Sequence, residues 1–274
     1  MSELLRKGIG RLRLVPSLVV ILAMPALGAV CEAPPRQADA MVGSLRKPLL
    51  SAEEIVSCLQ EKNRARELAL RSFHGTRVYR VDYRGFFGEH HAEAVVNFDY
   101  TTPDKREFTI VSETGSKFIV DHVIKGLLKG EEEAAKGKDR QRNALNASNY
   151  SFKLASAYAA GDGSQYVLNV SPKTHYKYLY KGKIWVEGKD FAVTRIEAEP
   201  ARSPSFWVKH TDVDHEYEKV GSFWLPAQDK TESWIRLGGI AHLSIEYKDY
   251  RITSATPVEQ VPAAEGRSES RVTQ

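Results

Sequence analysis

Residues 177–200, KYLYKGKIWVEGKDFAVTRIEAEP, decide the fold class of this chain. Apolar and charged side chains alternate on both sides of a turn sequence at 188–190, and a period of two places successive side chains on opposite faces of a β-strand. The segment therefore predicts two antiparallel strands with one dry face and one solvated face. The apolar positions of the first strand are Tyr178, Tyr180, Ile184 and Val186, and the charged positions are Lys177, Lys181, Lys183 and Glu187.

The same period of two recurs along most of the chain. Turn sequences rich in Gly, Asp, Asn or Pro separate the alternating segments, which is typical of consecutive antiparallel hairpins. We therefore expect about ten strands. The predicted strands are 75–87, 92–100, a return strand from 108, 151–158, 165–171, 175–187, 191–199, 206–218, 223–234 and 240–250.

Two stretches have helical spacing instead. Ser51 and Glu54 form a capping box, which starts a helix predicted to run to about Phe73. A second helix is predicted over 116–128, and the charged segment after it, including the acidic run 131–133, is predicted to be a mobile connection or a short exposed helix. The apolar stripe of the second helix consists of Val120, Val123, Ile124, Leu127 and Leu128.

These elements predict a mainly β (α+β) fold: a large curled antiparallel sheet that forms an unclosed half-barrel, with helices covering its concave face. A sheet of this many strands must curl or split. Two helices cover only part of such a face, so we expect an apolar cavity, and apolar cavities bind apolar ligands.

The first three strands and the second helix supply the predicted lining of this cavity. The sequence leaves open which face of the sheet is concave, and the choice of lining residues depends on it. The predicted lining residues are Tyr79, Val81, Tyr83, Val96, Phe98, Ile110, Val123, Ile124 and Leu127.

The N-terminal segment has the composition of an export signal. Basic residues between positions 6 and 13 precede an apolar run at 14–30 that ends in small residues, as a secretory cleavage site requires. A membrane anchor is the alternative, but it needs about 20 apolar residues, and prolines interrupt this run. The formal net charge of +4 falls close to neutral once this segment is removed, which gives no support for nucleic-acid binding.

The domain boundaries follow from composition. We predict a signal peptide at 1–30, a linker at 31–50, one binding domain at 51–252 and a disordered tail at 253–274. Cys31 directly follows the apolar run, and its lipidation would anchor the protein to a membrane. The protein is otherwise expected in the periplasm.

No catalytic, metal or cofactor site is predicted. Phosphate-binding loops, nucleophile elbows, zinc-protease motifs and Cys-x-x-Cys are absent from the sequence. His210, Asp212 and Asp214 share a strand face, but their spacing suits a solvated polar face better than one metal ion. Carboxylate pairs such as Asp212 with Glu216, or Asp214 with Glu232, leave an exported hydrolase as a less favoured alternative.

Three segments carry a resemblance to a known family. Residues 180–200 (YKGKIWVEGKDFAVTRIEAEP), 215–233 (HEYEKVGSFWLPAQDKTES) and 94–116 (AVVNFDYTTPDKREFTIVSETGS) resemble bacterial outer-membrane lipoprotein-sorting proteins of the LolA/LolB/RseB-like superfamily. The resemblance spans about 51–252. It implies an unclosed antiparallel barrel with helices as a lid, and binding of acyl chains rather than catalysis. The family also implies an arginine that tethers the lid, and the sequence alone matches no particular arginine to that role.

We therefore expect a periplasmic carrier or receptor that binds acyl chains of lipids or lipoproteins in a hydrophobic cavity. Its partners would be a lipid acyl chain or a lipoprotein, together with proteins of the inner or outer membrane, and not nucleic acid. An RseB-like sensor or interaction module, which docks on a membrane-bound regulator, is the alternative. No cofactor is expected in either case.

Overall fold

The computed structural model describes residues 50–254, except 87, 161, 162, 204 and 237. The predicted signal peptide, the linker with Cys31 and the tail beyond Ser254 lie outside the described residues. Within them, no helix is long and apolar enough to span a bilayer.

Three helices and ten strands make up this part of the chain, and the number of strands agrees with the sequence-based expectation. The second helix, α2, consists of three consecutive pieces, the middle one a π-helical turn. In chain order the elements are α1 Ala52–Ala69, β1 Leu70–Gly85, β2 Gly88–Thr101, β3 Lys105–Gly115, α2 (Lys117–Ile119, Val120–Ile124 and Lys125–Ala135), α3 Gly137–Asn143, β4 Tyr150–Ala160, β5 Gly163–Pro172, β6 Tyr180–Glu187, β7 Ala192–Pro200, β8 Val208–Val220, β9 Phe223–Ile235 and β10 Gly239–Ser254.

All ten strands belong to one antiparallel sheet in the order β3-β2-β1-β10-β9-β8-β7-β6-β5-β4. The first and last strands of the chain pair along their whole length, from Leu70 opposite Ser254 to Gly85 opposite Gly239. This pairing joins the N-terminal hairpins to the C-terminal ones. Because β3 and β4 each have a single neighbour among the described strands, the sheet is not closed into a barrel, and the predicted fold class is confirmed.

Helix α1 begins where the sequence predicts and ends earlier than predicted. The Ser51 side chain accepts the backbone N–H of Glu54 at 3.2 Å, and the Glu54 carboxylate accepts the N–H of Ser51 at 2.7 Å. The predicted end at Phe73 is wrong, because the helix stops at Ala69. Phe73 lies in β1, where its ring centroid is 5.1 Å from that of Tyr100 on β2, and this cross-strand aromatic packing outweighs helical spacing.

The helices cover two separate regions of one sheet face, called here the helix-covered face. Helix α1 packs on β4 to β7 in a cluster that includes Ile55, Leu59 and Ile184. Helix α2 packs on β1, β2 and β10 in a second cluster. A smaller aromatic cluster around Phe73 and Phe223 lies at one end of β1 and β9. The two larger apolar regions of the sheet are therefore each covered by a helix.

The close approach of β6 to β7 depends on Gly182. A Cβ atom on Gly182 would lie 2.1 Å from the carbonyl oxygen of Glu197 and 2.6 Å from the Cα of Ala198, both backbone atoms. Gly130 in α2 has open space around the same position. The two glycines therefore offer a matched pair of substitutions.

We predict that Gly182→Ala lowers the free energy of unfolding by about 1–3 kcal/mol, because the backbone of β7 must move. Gly130→Ala is expected to raise it by about 1 kcal/mol, because alanine loses less conformational entropy in a helix. Urea unfolding followed by circular dichroism measures both. Equal stabilities for the two variants would contradict the tight β6–β7 contact.

Candidate ligand site under helix α2

Helix α2 presents one apolar stripe to the sheet. The Ser116 hydroxyl accepts the backbone N–H of Ile119 at 3.4 Å and caps the helix. Spacings of three and four then place the apolar side chains on one side, where they are buried. These side chains are Ile119, Val120, Val123, Ile124, Leu127 and Leu128, and they meet Val81, Ala94, Val96, Leu243 and Ile245 of the sheet.

The structure brings together seven of the nine predicted lining residues. The α2 cluster contains Tyr79, Val81, Val96, Ile110, Val123, Ile124 and Leu127. Phe98 belongs instead to the neighbouring aromatic cluster. Tyr83 lies outside all three clusters, where its hydroxyl donates to the carbonyl oxygen of Gly238 at 2.9 Å. Whether these residues line a ligand site stays a prediction.

The space under α2 is filled by side chains. The enclosed void beside Glu131 measures about 10 Å³, roughly the size of one water molecule. This void is too small for an acyl chain, and whether an open apolar cavity forms beneath α2 stays a prediction. Helix α2 continues to Ala135 instead of ending near Leu128 and so covers more of the sheet than the sequence predicts.

A larger groove of about 720 Å³ lies elsewhere on the sheet. It crosses β6 to β10 and β1, and the side chains of Asp212 and Asp214 border it. These residues alternate with Val213, which belongs to the α1 cluster, so they lie on the opposite face of the sheet. Nine of the sixteen residues around the groove are lysine, glutamate or aspartate, so it is bordered by charged side chains of both signs.

An ion triad joins α2 to the sheet within the candidate site. Arg77 of β1 donates to both carboxylate oxygens of Glu131 of α2, with Nη1–Oε2 at 2.7 Å and Nη2–Oε1 at 3.2 Å. Arg106 of β3 donates to Oε1 at 3.0 Å. The side chains of Arg77 and Glu131 are 1% and 3% exposed. The Arg77 guanidinium also lies 3.9 Å from the ring centroid of Phe98, where a cation–π contact stabilises it further.

The two guanidinium groups respond differently to this environment. Burial is the largest single influence on Arg77 and disfavours its charged form, but the charge and hydrogen bonds of Glu131, together with the nearby Tyr79 and Tyr247, outweigh burial and raise the pKa of Arg77 above its ordinary value. Burial dominates at Arg106 and lowers its pKa, and the neighbouring charge of Arg77 acts in the same direction. The carboxylate of Glu131 therefore neutralises Arg77 more fully than Arg106.

The prediction that residues 131–133 form a solvated, mobile or exposed segment is wrong for Glu131. Glu131 follows Leu127 by four residues, so it continues the apolar stripe instead of leaving it. Arg77 likewise occupies an inward position two residues before Tyr79. Two sequence signals identify this pair. Glu131 falls in phase with the apolar stripe of α2, and Arg77 falls in phase with an apolar face of β1.

A second polar group borders the same small void. The Nδ1 atom of His215 lies 2.7 Å from Oδ1 of Asp229, and the Tyr247 hydroxyl donates to Oδ2 of Asp229 at 2.5 Å. All three side chains are buried. Burial disfavours protonated His215, but the charge and hydrogen bond of Asp229 outweigh it and raise the pKa of the imidazole.

We predict that Glu131→Gln lowers the free energy of unfolding by about 3–5 kcal/mol, because it leaves two buried guanidinium groups without a counter-charge. Glu133→Gln is the matched control. Glu133 is exposed two residues further along the same helix, so its effect is expected within about 0.5 kcal/mol. Chemical unfolding of both variants gives the comparison, and a small effect of Glu131→Gln would contradict a triad that holds α2 on the sheet.

We also predict a pH-dependent contribution from His215. Because the pKa of folded His215 is raised, its protonation stabilises the fold fully below the unfolded value of about 6.5. This stabilisation is lost as the pH rises through the folded pKa. The stability difference between the protein and His215→Gln should therefore shrink with increasing pH over that range. His242→Gln, which removes a half-exposed histidine, is the control. A pH-independent difference for His215→Gln would contradict the assignment.

One group of side chains in the described residues has the spacing of metal ligands. Glu199, His210 and Asp212 each place one ligand atom within 4.8 Å of the others. His210 Nε2 lies 2.9 Å from Asp212 Oδ1, and the three side chains are 41–59% exposed. Asp214 is not part of the group, because it forms a bidentate pair with Arg195. These contacts are those of a solvated ion network on a sheet face.

Comparison with known proteins gives structural matches only. No protein-family profile and no curated protein matches the chain. Among solved structures, a LolA superfamily protein from Nitrosomonas europaea is 11% identical, and the match covers 76% of this chain and 96% of that chain at a TM-score of 0.33. A domain named as an outer-membrane lipoprotein-sorting protein from Vibrio parahaemolyticus is 13% identical, covering 76% and 95% at a TM-score of 0.37.

The Pseudomonas aeruginosa MucA/MucB complex also matches, at 11% identity and a TM-score of 0.24, covering 74% of this chain and 99% of that chain. These matches are low in both sequence identity and TM-score, and no property of these proteins is carried to this chain from them.

Proposed function

We propose that this protein binds the acyl chain of a lipid or lipoprotein on the helix-covered face of its sheet, beneath α2, as a carrier or receptor in the periplasm. The observation that supports this most directly is the nature of the α2 contact. One helix stripe, made entirely of aliphatic side chains, fills the space above β1, β2 and β10. An acyl chain offers the same kind of surface and can take the place of that stripe.

Energetics make such an exchange feasible. Each buried methylene contributes about 0.8 kcal/mol, and a buried Val, Leu or Ile side chain contributes about 1.5–3 kcal/mol. A long acyl chain and the six side chains of the α2 stripe therefore represent similar amounts of apolar burial. Displacing the helix with a ligand changes the net free energy far less than exposing the sheet to water would.

The ends of α2 are placed for a change in helix position. Gly115 immediately precedes Ser116 and the helix, and Gly137 follows it, with φ values of 80° and 53°. Such left-handed backbone is favourable for glycine and strained for other residues. A π-helical turn at Val120–Ile124 interrupts the regular hydrogen bonding of the helix. Two glycines with left-handed backbone and one irregular turn therefore lie at the ends of, and within, the segment that would have to move.

The filled interior also favours a second candidate function. A protein whose apolar face is already sealed is suited to act as an interaction module that docks on a membrane-bound regulator. In that case α2 is a permanent part of the core. Acyl binding therefore distinguishes the two candidates. An enzymatic role finds less support, because Asp214 of the proposed carboxylate pairs is bound to Arg195.

We predict that the purified protein binds saturated amphiphiles with an affinity that rises about fourfold per added methylene, as 0.8 kcal/mol per methylene requires. Displacement of a fluorescent fatty-acid probe by a series of chain lengths measures this. Val96→Phe, which adds volume beneath α2, is expected to weaken binding at least tenfold.

Val193→Phe is the matched control, because Val193 packs in the α1 cluster and not beneath α2. The unfolding free energies of both variants separate loss of binding from loss of folding. Absence of acyl binding by the folded wild-type protein would reject the carrier and leave the interaction module. Equal loss of affinity in both variants would place the ligand somewhere other than beneath α2.

A further inference from the structure

The two arginines under α2 have more hydrogen-bond donors than the site has acceptors. The Nε groups of Arg77 and Arg106 are buried and have no hydrogen-bond partner within the described part of the chain. The side chains of Arg77 and Arg106 are only 1% and 8% exposed. A buried N–H group without a partner costs about 1–3 kcal/mol, so such groups need a structural explanation.

The site also has more positive than negative charge. Two guanidinium groups face a single carboxylate, whose two oxygens already accept three N–H groups from Arg77 and Arg106. The next acidic side chain at the void, Asp229, accepts from Tyr247 and pairs with His215. The triad therefore has a net positive charge in a buried place. An anionic group that is not attached to the helix can place its acceptor oxygens nearer to both unpaired Nε donors than Glu131 does.

Helix α2 itself has the chemical pattern of an acidic amphiphile. Its apolar stripe runs from Ile119 to Leu128, and one buried carboxylate, Glu131, follows one turn after Leu127. At 1.5 Å per residue, the distance from Ile119 to Glu131 along the helix is about 18 Å. One lipid leaflet contributes about 15 Å of the roughly 30 Å hydrocarbon core of a bilayer. A single acyl chain with an anionic head therefore matches the stripe and its carboxylate in length and in order.

Building on the acyl-binding function proposed above, we propose that the ligand is an anionic amphiphile whose carboxylate or phosphate replaces Glu131 between Arg77 and Arg106. The chain of the ligand then takes the place of the α2 stripe. The planar forks of two arginines suit carboxylate and phosphate oxygens, which accept paired N–H donors. Glu131 acts as the internal anion that occupies the arginines when no ligand is present.

Matched amphiphiles of one chain length test this proposal on the full-length exported protein. Myristate and tetradecyl phosphate, each below its critical micelle concentration, and tetradecanol, below its solubility limit, compete with the same fluorescent fatty-acid probe, with inorganic phosphate as a fourth competitor. The two acidic amphiphiles are expected to bind at least tenfold more tightly than the alcohol. Inorganic phosphate alone is expected to displace no probe.

The variant Arg106→Gln is expected to reduce the preference for acid over alcohol to less than threefold, while the affinity for tetradecanol changes little. Arg106 is the better choice for substitution, because Glu131 keeps its bidentate pair with Arg77. Arg80→Gln is the matched control. Arg80 also lies on β1 but pairs with Glu93 and Glu246 at a partly exposed place, so its preference should equal that of the wild type.

Each outcome separates the two proposals. Equal affinity for the acidic amphiphiles and the alcohol rejects the proposal that the site recognises an anionic head group, but not the proposal of acyl binding. Displacement by inorganic phosphate at the concentration effective for tetradecyl phosphate shows that the arginines hold a free anion, which also overturns the proposal. If Arg80→Gln reduces the preference for acid over alcohol as much as Arg106→Gln does, the effect comes from the overall charge of the protein. That result rejects head-group binding by Arg77 and Arg106. Failure of every amphiphile to bind rejects acyl binding itself.

Discussion

The buried pairing of Glu131 with Arg77 and Arg106 is the interaction on which the arrangement of helix and sheet depends. An ionised carboxylate or guanidinium group cannot be removed from water alone, because its desolvation costs several kcal/mol. Each of these groups therefore requires the others to be in place. Apolar packing allows α2 to slide over β1 and β10 by small amounts, whereas the bidentate contact at 2.7 and 3.2 Å fixes its position.

This interaction holds α2 over the apolar region formed by β1, β2 and β10. The sheet is too wide for one helix, and two helices divide it into regions that are each sealed. Sealing by an amphipathic helix protects the apolar face from solvent and from other chains, as native proteins generally require. The buried side chains of His215, Asp229 and Tyr247 lie where the two covered regions meet, at a place where water would otherwise enter.

The sequence predicted the sheet well because strand periodicity is local and β10 returns beside β1 without requiring any special residue. It predicted the stripe of α2 for the same reason. The end of α1 and the role of Glu131 were harder to predict, because both depend on partners distant in sequence. Phe73 packs against Tyr100 in the sheet, and Arg77 neutralises Glu131, which lies 54 residues away. Local propensity contains no information about such pairs. Tyr83 was misplaced because alternation identifies a face of the sheet but not where cover by α2 ends.

If α2 moves to admit a ligand as proposed above, the triad limits how it can do so. A helix held only by aliphatic contacts would be displaced by any apolar molecule, since the hydrophobic effect is non-directional. A helix that is also held by a buried carboxylate can leave only if another anion or water neutralises the two arginines. Otherwise the arginines stay buried in a low-dielectric site without a counter-charge. Water can fulfil this role if the site floods, but flooding sacrifices the apolar burial that drives acyl binding. A ligand that supplies chain and charge together avoids both costs, so the chemistry of the closed state restricts the class of molecule that can open it.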